Sequence, residues 1–300
     1  MSLLSTAIIM STRNAIVKFI HQHTSRAVES DTKFTIGKSW VLLTKEANNT
    51  SLEFRTYEPV ICLIVQGKKE LISSREVISA SAGQSILISH DIHVQARIKD
   101  LQKGAPYTAV IIPIDIQKLR EIVIQISYEV RLEKKQSAIS VATTSSELED
   151  AVLRYLKLLN NPQDIDILAT SLLKEIYFRV LTSEGGSMLR ELLIVDSHAD
   201  RIQKAVTYIK LNYRSNILID DLIKHVGMSG SSFHMHFKRI TGNTPKKMQS
   251  DLRLMEVRER LRVTRETISN LAFDVGYNSL AQLSKEYKKK FGTSPLQDRT

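Results

Sequence analysis

Cysteine occurs once in the 300 residues, at Cys62. A single thiol excludes an intramolecular disulfide and any zinc site built from clustered cysteines, and with the latter an alkyl-transfer repair chemistry. Long apolar runs are also missing. No stretch approaches the ~20 residues that cross a bilayer. The mildly apolar Ser2–Met10 is followed by Arg13 and Lys18, the reverse of the order in a secretory signal. The chain is therefore expected to be cytoplasmic, with no membrane partner. A glycine-rich phosphate loop, a nucleophile elbow and a paired-carboxylate arrangement are all absent, so no catalytic residue is expected. Asp164/Asp166 and Asp220-Asp221 adjoin helix starts, where free backbone N–H groups stabilise carboxylates without any catalytic role.

Metal ligands are equally scarce. His90-Asp-Ile-His93 is the one suggestive pair, but residues three apart on a strand point to opposite faces. These two are expected as surface or turn histidines, and His21 and His23 as solvated ones, so no metal and no cofactor is expected. Cys62 lies in Val60-Ile-Cys-Leu-Ile-Val65, where an inert core thiol is the simpler reading than a redox sensor.

What the chain does have is an uneven positive charge. The formal net charge is +10, and residues 196–300 carry 19 Lys+Arg against 11 Asp+Glu, leaving 23 against 21 for the rest. The excess sits in one third of the chain, the footprint of a polyanionic partner.

That third contains one pattern twice. The first copy, at about 219–241, includes Val226-Gly-Met-Ser-Gly-Ser-Ser-Phe-His-Met-His-Phe-Lys-Arg-Ile-Thr-Gly-Asn-Thr-Pro245. The second, at about 267–291, includes Val275-Gly-Tyr-Asn-Ser-Leu-Ala-Gln-Leu-Ser-Lys-Glu-Tyr-Lys-Lys-Lys-Phe-Gly-Thr-Ser-Pro295. In each, an apolar-periodic helix ends at a glycine, Gly227 or Gly276, where the chain turns through a conformation glycine tolerates best. A hydroxyl at Ser229 or Ser279 then caps a second helix, whose Phe233/Phe237 or Leu283/Tyr287 at i, i+4 face a small core. Left outward are Ser231, His234, Met235, Lys238 and Arg239 in one copy, and Leu280, Ala281, Ser284, Lys285 and Lys288 in the other. Helices that merely pack have no need of duplication with basic outward faces.

Two helix-turn-helix units about fifty residues apart, joined by a helix that opens at Thr244-Pro245 and carries Leu252-Arg253-Leu254, resemble the DNA-binding domain of AraC/XylS-type transcription regulators. The resemblance implies that both second helices enter successive major grooves of double-stranded promoter or operator DNA. Ser231, His234 and Met235, with Leu280, Ala281, Ser284 and Lys285, inherit the base-facing role by position. Two residues depart from the family pattern: Met235 stands where arginine is usual, and Arg260 where leucine is.

The segment before residue 196 reads differently. Thr12–Gln22 has a helical period in Ala15, Ile16, Phe19 and Ile20. From Ser39 to Pro113, seven short β-branched runs separated by Gly67, Ser73-Ser74, Gly83 and Gly104 predict a small barrel or sandwich. Helical runs follow at Asp115–Glu129, Ser146–Leu159, Asp164–Leu181 and Ser187–Val195. The phrases Glu58-Pro-Val-Ile-Cys-Leu-Ile-Val-Gln-Gly-Lys-Lys69 and Ala82-Gly-Gln-Ser-Ile-Leu-Ile-Ser89 resemble the cupin-like N-terminal domain of one branch of these regulators. The expected fold is thus α+β, with a small cupin-like β-barrel and flanking helices at 1–195 and an all-α tandem helix-turn-helix domain at 196–300.

The resemblance implies an effector or dimerisation domain, hence a homodimer, a small-molecule effector of unknown identity, and RNA polymerase as a further partner. A barrel filled by its own side chains and used only for dimerisation is the plainer alternative. An architectural DNA protein without regulatory input is a second. A cupin-type enzyme is a third, and it lacks the paired-histidine ligand set. The leucine stripe Leu153, Leu156, Leu159, Leu168, Leu172, Leu173 and Ile176 serves either the domain's own core or a dimer face.

Overall fold

The structure, a computed structural model, describes residues 3–24, 29–73, 76–102, 104–125 and 137–299, with residues 3–11 and 29–30 described by backbone alone. Two compact units divide between Asp200 and Arg201, five residues beyond the boundary read from sequence. Asp200 stays with the first unit because the Arg120 guanidinium binds its carboxylate at 2.7 Å.

In the first unit, one antiparallel sheet runs in the order β1 (Glu29–Ile36), β2 (Ser39–Glu46), β9 (Tyr107–Pro113), β4 (Val60–Gln66), β7 (Gln84–Ile88), β10 (Ile139–Thr143). A second runs β3 (Glu53–Tyr57), β8 (Ile92–Lys99), β5 (Lys68–Ile72), β6 (Val77–Ser81). The expected barrel is not closed: among the described residues no strand pairs across the two sheets, and each keeps two edges. The chain instead changes sheet between β4 and β5 at Gly67, whose φ of +82° favours glycine and whose missing Cβ would lie 3.0 Å from Tyr107 Cα.

Strand β4 is apolar on both faces because both are covered. Ile61, Leu63 and Val65 join a core with Ile16, Phe19 and Ile20 of α1 (Leu3–His23); alternation turns Val60, Cys62 and Ile64 towards the other sheet. That core also takes in α2 (Ile116–Val123), α3 (Ser146–Lys157), α4 (Pro162–Thr182) and α5 (Ser187–Leu193). The last four residues of the helix expected at 115–129 lie outside the described residues. Glu149 is fully buried against Arg13 at 2.6 Å, which ties α1 to α3. Burial pushes the Glu149 carboxyl up, and the Arg13 hydrogen bond opposes it. The leucine stripe is spent mainly on this core: Leu153, Leu156, Leu173 and Ile176 are buried, Leu159 and Leu172 pack against it, and Leu168 is exposed.

The histidines correct the expectation. His90 and His93 are both buried rather than on the surface. The His90 Nε2–H donates to the Ala199 carbonyl at 3.1 Å while Nδ1 lies 2.8 Å from Ser89 Oγ. Burial lowers its pKa to about 4 and keeps the ring neutral. His93 bonds to Thr56 Oγ1 at 2.8 Å. His23, read as solvated, stacks on Phe19 with ring centroids 3.9 Å apart. Among the described residues no three His, Cys, Asp or Glu side chains converge as a metal site would require.

Helix α6 (His198–Asn212) begins just before the boundary, and the described residues of the second unit add only helices: α7 (Ile219–Val226), α8 (Gly230–Thr241), α9 (Pro245–Val263), α10 (Ile268–Asp274) and α11 (Leu280–Phe291). No helix of the described residues is long and apolar enough to cross a membrane.

Candidate nucleic-acid interface

Each helix-turn-helix is built by local rules. Helix α7 buries Leu222 and Val226 and ends at Gly227, which adopts φ +63°, ψ +42°. Ser229 then accepts from the Ser232 N–H and opens α8. In the second copy α10 stops at Asp274, one residue short of Val275, and the turn passes through Gly276 at φ +93° before Ser279 accepts from Gln282 N–H. Thr244 caps α9 with Pro245 in its first turn, where a missing N–H costs nothing.

The caps aim the second helices. On α8, Phe233, His236, Phe237 and Ile240 are buried, which turns Ser231, His234, Met235 and Lys238 to solvent; Met235 is 54% exposed and Arg239 half-buried. On α11, Leu283 and Tyr287 are buried, and Leu280, Ala281, Lys285 and Lys288 are exposed beside a half-buried Ser284. All ten residues named from sequence thus lie on α8 or α11, off the buried faces.

Sequence reading missed the polar framework that holds α11. Lys290, from a lysine run that looks wholly solvated, is 3% exposed and pairs with Asp251 of α9 at 2.6 Å. Burial lowers its pKa and Asp251 opposes the shift. Glu286 accepts from Ser250 Oγ at 2.6 Å and Tyr277 Oη at 2.9 Å, and Tyr287 Oη donates to Asp298 at 2.6 Å. Arg253 donates to the carbonyls of Tyr213 at 2.6 Å, Gly276 at 2.7 Å and Ser215 at 2.8 Å. Helical spacing gives the signal: Glu286 and Lys290 fall at i+3 and i+7 from buried Leu283, on its face.

Arg260, the departure at the end of α9, replaces apolar packing by charge. It reaches Glu256 at 3.4 Å, Asp274 at 2.9 Å and Glu266. The hydrogen bonds it donates to Glu266 and Asp274 raise its pKa.

The first unit holds a second feature that sequence did not locate. Antiparallel register sets Lys69 of β5 opposite Ile98 and Ala80, on the same side as Ala96 and Tyr57, facing the other sheet. Lys69, Ala96, Ile98 and Tyr57 line a cavity of about 700 Å³ between the sheets together with Trp40, Leu42, Thr44, Tyr107 and Ile111 and the carboxylates Asp31, Glu46, Glu53 and Glu58.

Residues 40–188 match the family model for the AraC-type transcriptional regulator N-terminus, and residues 222–300 match one for a helix-turn-helix domain. The chain belongs to the AraC/XylS-type regulators. The raffinose operon transcriptional regulatory protein RafR of Pediococcus pentosaceus is 27% identical over 46% of this chain and 50% of its own length. The lactose operon transcription activator of Staphylococcus xylosus is 31% identical over 35% and 38%. This AraC/XylS-type chain thus spans half, or less, of the curated relatives it matches. A solved structure of ToxT from Vibrio cholerae superposes with TM-score 0.56 at 14% identity, covering 87% of this chain and 97% of that one. Another, of unsaturated fatty acid bound ToxT, gives 0.54 at 12% identity over 88% and 96%. The likeness shows a shared fold.

Proposed function

We propose that this AraC/XylS-type chain is a sequence-specific DNA-binding transcription regulator, cytoplasmic and without catalytic activity, whose N-terminal unit dimerises and takes a small-molecule effector. The observation that carries it is the pair of capped helices, α8 and α11, each with its apolar side buried and a polar or basic side left to solvent. Ser231, His234, Leu280, Ala281, Ser284 and Lys285 are assigned to base edges, with Met235 offering an apolar contact to a thymine methyl. Lys238, Arg239 and Lys288 are assigned to the backbone. Helix α9, 19 residues and so about 28 Å at 1.5 Å per residue, spaces the two units for grooves about one turn apart.

Footprinting and selection from random DNA test this. One protomer should protect about twenty base pairs as two unlike short elements, since each groove visit covers about one helical turn; a single compact element under about eight base pairs would overturn it. Effector control is favoured by the cavity between the sheets and by the fatty acid named in the ToxT structure. An architectural binder would show the same DNA affinity with and without cell metabolites; a regulator should not. RNA polymerase is the further partner expected of an activator, testable by promoter transcription with purified polymerase.

A further inference from the structure

The duplication supplies an internal control for the buried pair Lys290–Asp251. Helices α8 and α11 are both 12 residues long and each is closed by a left-handed glycine, Gly242 or Gly292. Aligned on those glycines, Phe233 and Phe237 correspond to Leu283 and Tyr287, and Ile240 stands where α11 has Lys290. Ile240 is buried. An aliphatic side chain is therefore enough to close this corner of a helix-turn-helix. The second copy instead buries an ammonium and a carboxylate, with 3% and 4% of the two side chains exposed. Taking both charges out of water is costly, and such a pair commonly adds no net stability over apolar groups of the same volume.

What the pair supplies is direction. Apolar burial is non-directional, so Leu283 and Tyr287, packed in one cluster with Leu254 and Val257 of α9, would let α11 slide or roll. Lys290 Nζ lies 2.6 Å from Asp251 Oδ1, and one turn earlier Glu286 accepts from Ser250 Oγ at 2.6 Å. Two short polar contacts, one turn apart on α11 and made to adjacent residues of α9, fix both the axial position and the rotation of the helix. The carboxylate is steadied in turn from its own helix, because Lys247 Nζ lies 2.5 Å from the same Asp251 oxygen.

The two outward faces differ in the precision they need. Met235 on α8 offers apolar contact, which tolerates a small displacement. Lys285 on α11 is a point donor, and its ammonium must come within about 3 Å of a guanine acceptor. We propose that Lys290 and Asp251 are positioning residues for base reading by α11: they set the register of that helix on α9 so that Lys285 reaches its base, and they add no net stability. The inference rests on the assignment of α11 to the major groove made above.

Full-length protein carrying Asp251→Leu together with Lys290→Met tests it. The replacement removes one charge of each sign, so the net charge that attracts DNA is unchanged. Its thermal melt should lie at or above that of the wild type, while selection from random DNA should flatten the element read by α11 and keep the element read by α8. Lys285→Ala should weaken specific binding about tenfold in the wild type but less than about threefold in this background, since residues that act together are not additive. Lys290→Met alone leaves Asp251 paired with Lys247 and should flatten the same element. A double variant that melts below the wild type would make the pair a plain stabiliser and overturn the proposal. So would a motif unchanged in both variants, or a Lys285→Ala loss as large in the double variant as in the wild type. If the wild type itself selects a single compact element, the major-groove assignment falls and this inference with it; a two-element wild-type motif that survives in the variants removes the positioning role alone.

Discussion

The two helix-turn-helix units share a sequence pattern but stand on different foundations. The turn glycine of the first, Gly227, has open surroundings: an added Cβ would meet only the Arg201 guanidinium, at 2.9 Å, which is the end of a flexible side chain. At Gly276 the same Cβ would lie 1.9 Å from the Arg214 carbonyl oxygen. In the first unit Phe233 and Phe237 pack with ring centroids 5.5 Å apart, and Arg201 donates to the Val226 and Gly227 carbonyls. The second is held by an apolar cluster that includes Leu271, Val275, Leu283 and Tyr287, plus the ion pairs and carbonyl clamps of Asp251, Arg253, Glu286 and Asp298. A repeated motif therefore fixes the turn and the cap while leaving each copy its own mix of apolar and polar support.

The glycines break the comparison most sharply. Gly276→Ala should cost about 4–6 kcal/mol, because left-handed strain adds to a backbone clash that nothing local can relieve. Gly227→Ala should cost about 1–2 kcal/mol, since Arg201 can swing aside. Melts of the two variants read by circular dichroism check this; equal losses would show that the two turns are equally constrained.

Phe237→Ala comes next, at roughly 3–5 kcal/mol for a fully buried aromatic ring. DNA binding should fail with folding. A normal melt for the C-terminal unit would show that Phe237 is not the anchor of its copy.

Those two sets of residues were legible because their signals are local. A glycine at a turn, a hydroxyl at an N-cap and aromatics four apart each act within one or two helical turns of chain. The N-terminal unit is set by register between distant strands, and there the sequence predicts seven strands where the described residues form ten. Strand β1, Glu-Ser-Asp-Thr-Lys-Phe-Thr-Ile, is too polar to stand out, and it forms because β2 offers it an edge. Lys68–Ile72 lies between two of the runs read as strands and forms one itself, so the inward position of Lys69 follows only from its register partners. His90 was placed on the surface for a similar reason: its hydrogen-bond partner, Ala199, lies 109 residues away.

Base reading should sharpen the comparison further. Lys285 is the exposed donor on α11 suited to guanine O6/N7, and Lys285→Ala should weaken binding by roughly 1–3 kcal/mol and relax preference at one position. His234→Ala should do the same in the other element. Selection from random DNA with each variant should blur a different half of the site; a motif unchanged by both substitutions together would remove these helices from base contact.

Support by charge predicts a further asymmetry. Arg260→Leu restores the residue usual in the family and removes three carboxylate contacts, two of them to well-exposed partners, so about 1 kcal/mol should be lost. The loss should shrink at 1 M salt, where exposed pairs are screened. A loss that persists unchanged in high salt would mean that Arg260 acts by packing its stem.

The smallest effect separates affinity from reading. Lys288 is exposed near the end of α11, where Lys290 is already committed to Asp251, and it makes no ion pair in the described structure. If it neutralises a single phosphate, Lys288→Ala removes one released counterion, so the slope of log K against log salt should fall by about 0.9. The affinity loss at moderate salt should be below about 1 kcal/mol and equal for specific and random DNA, because a phosphate contact carries no sequence information. Lys238→Ala supplies the same measurement for the first unit. Equal slopes for the two variants would mean that both helices lean equally on the backbone despite their unequal charge. A flatter slope for Lys288→Ala alone would place the electrostatic anchor on the second unit and leave the first, with His234 and Met235, to contribute mainly shape and apolar contact.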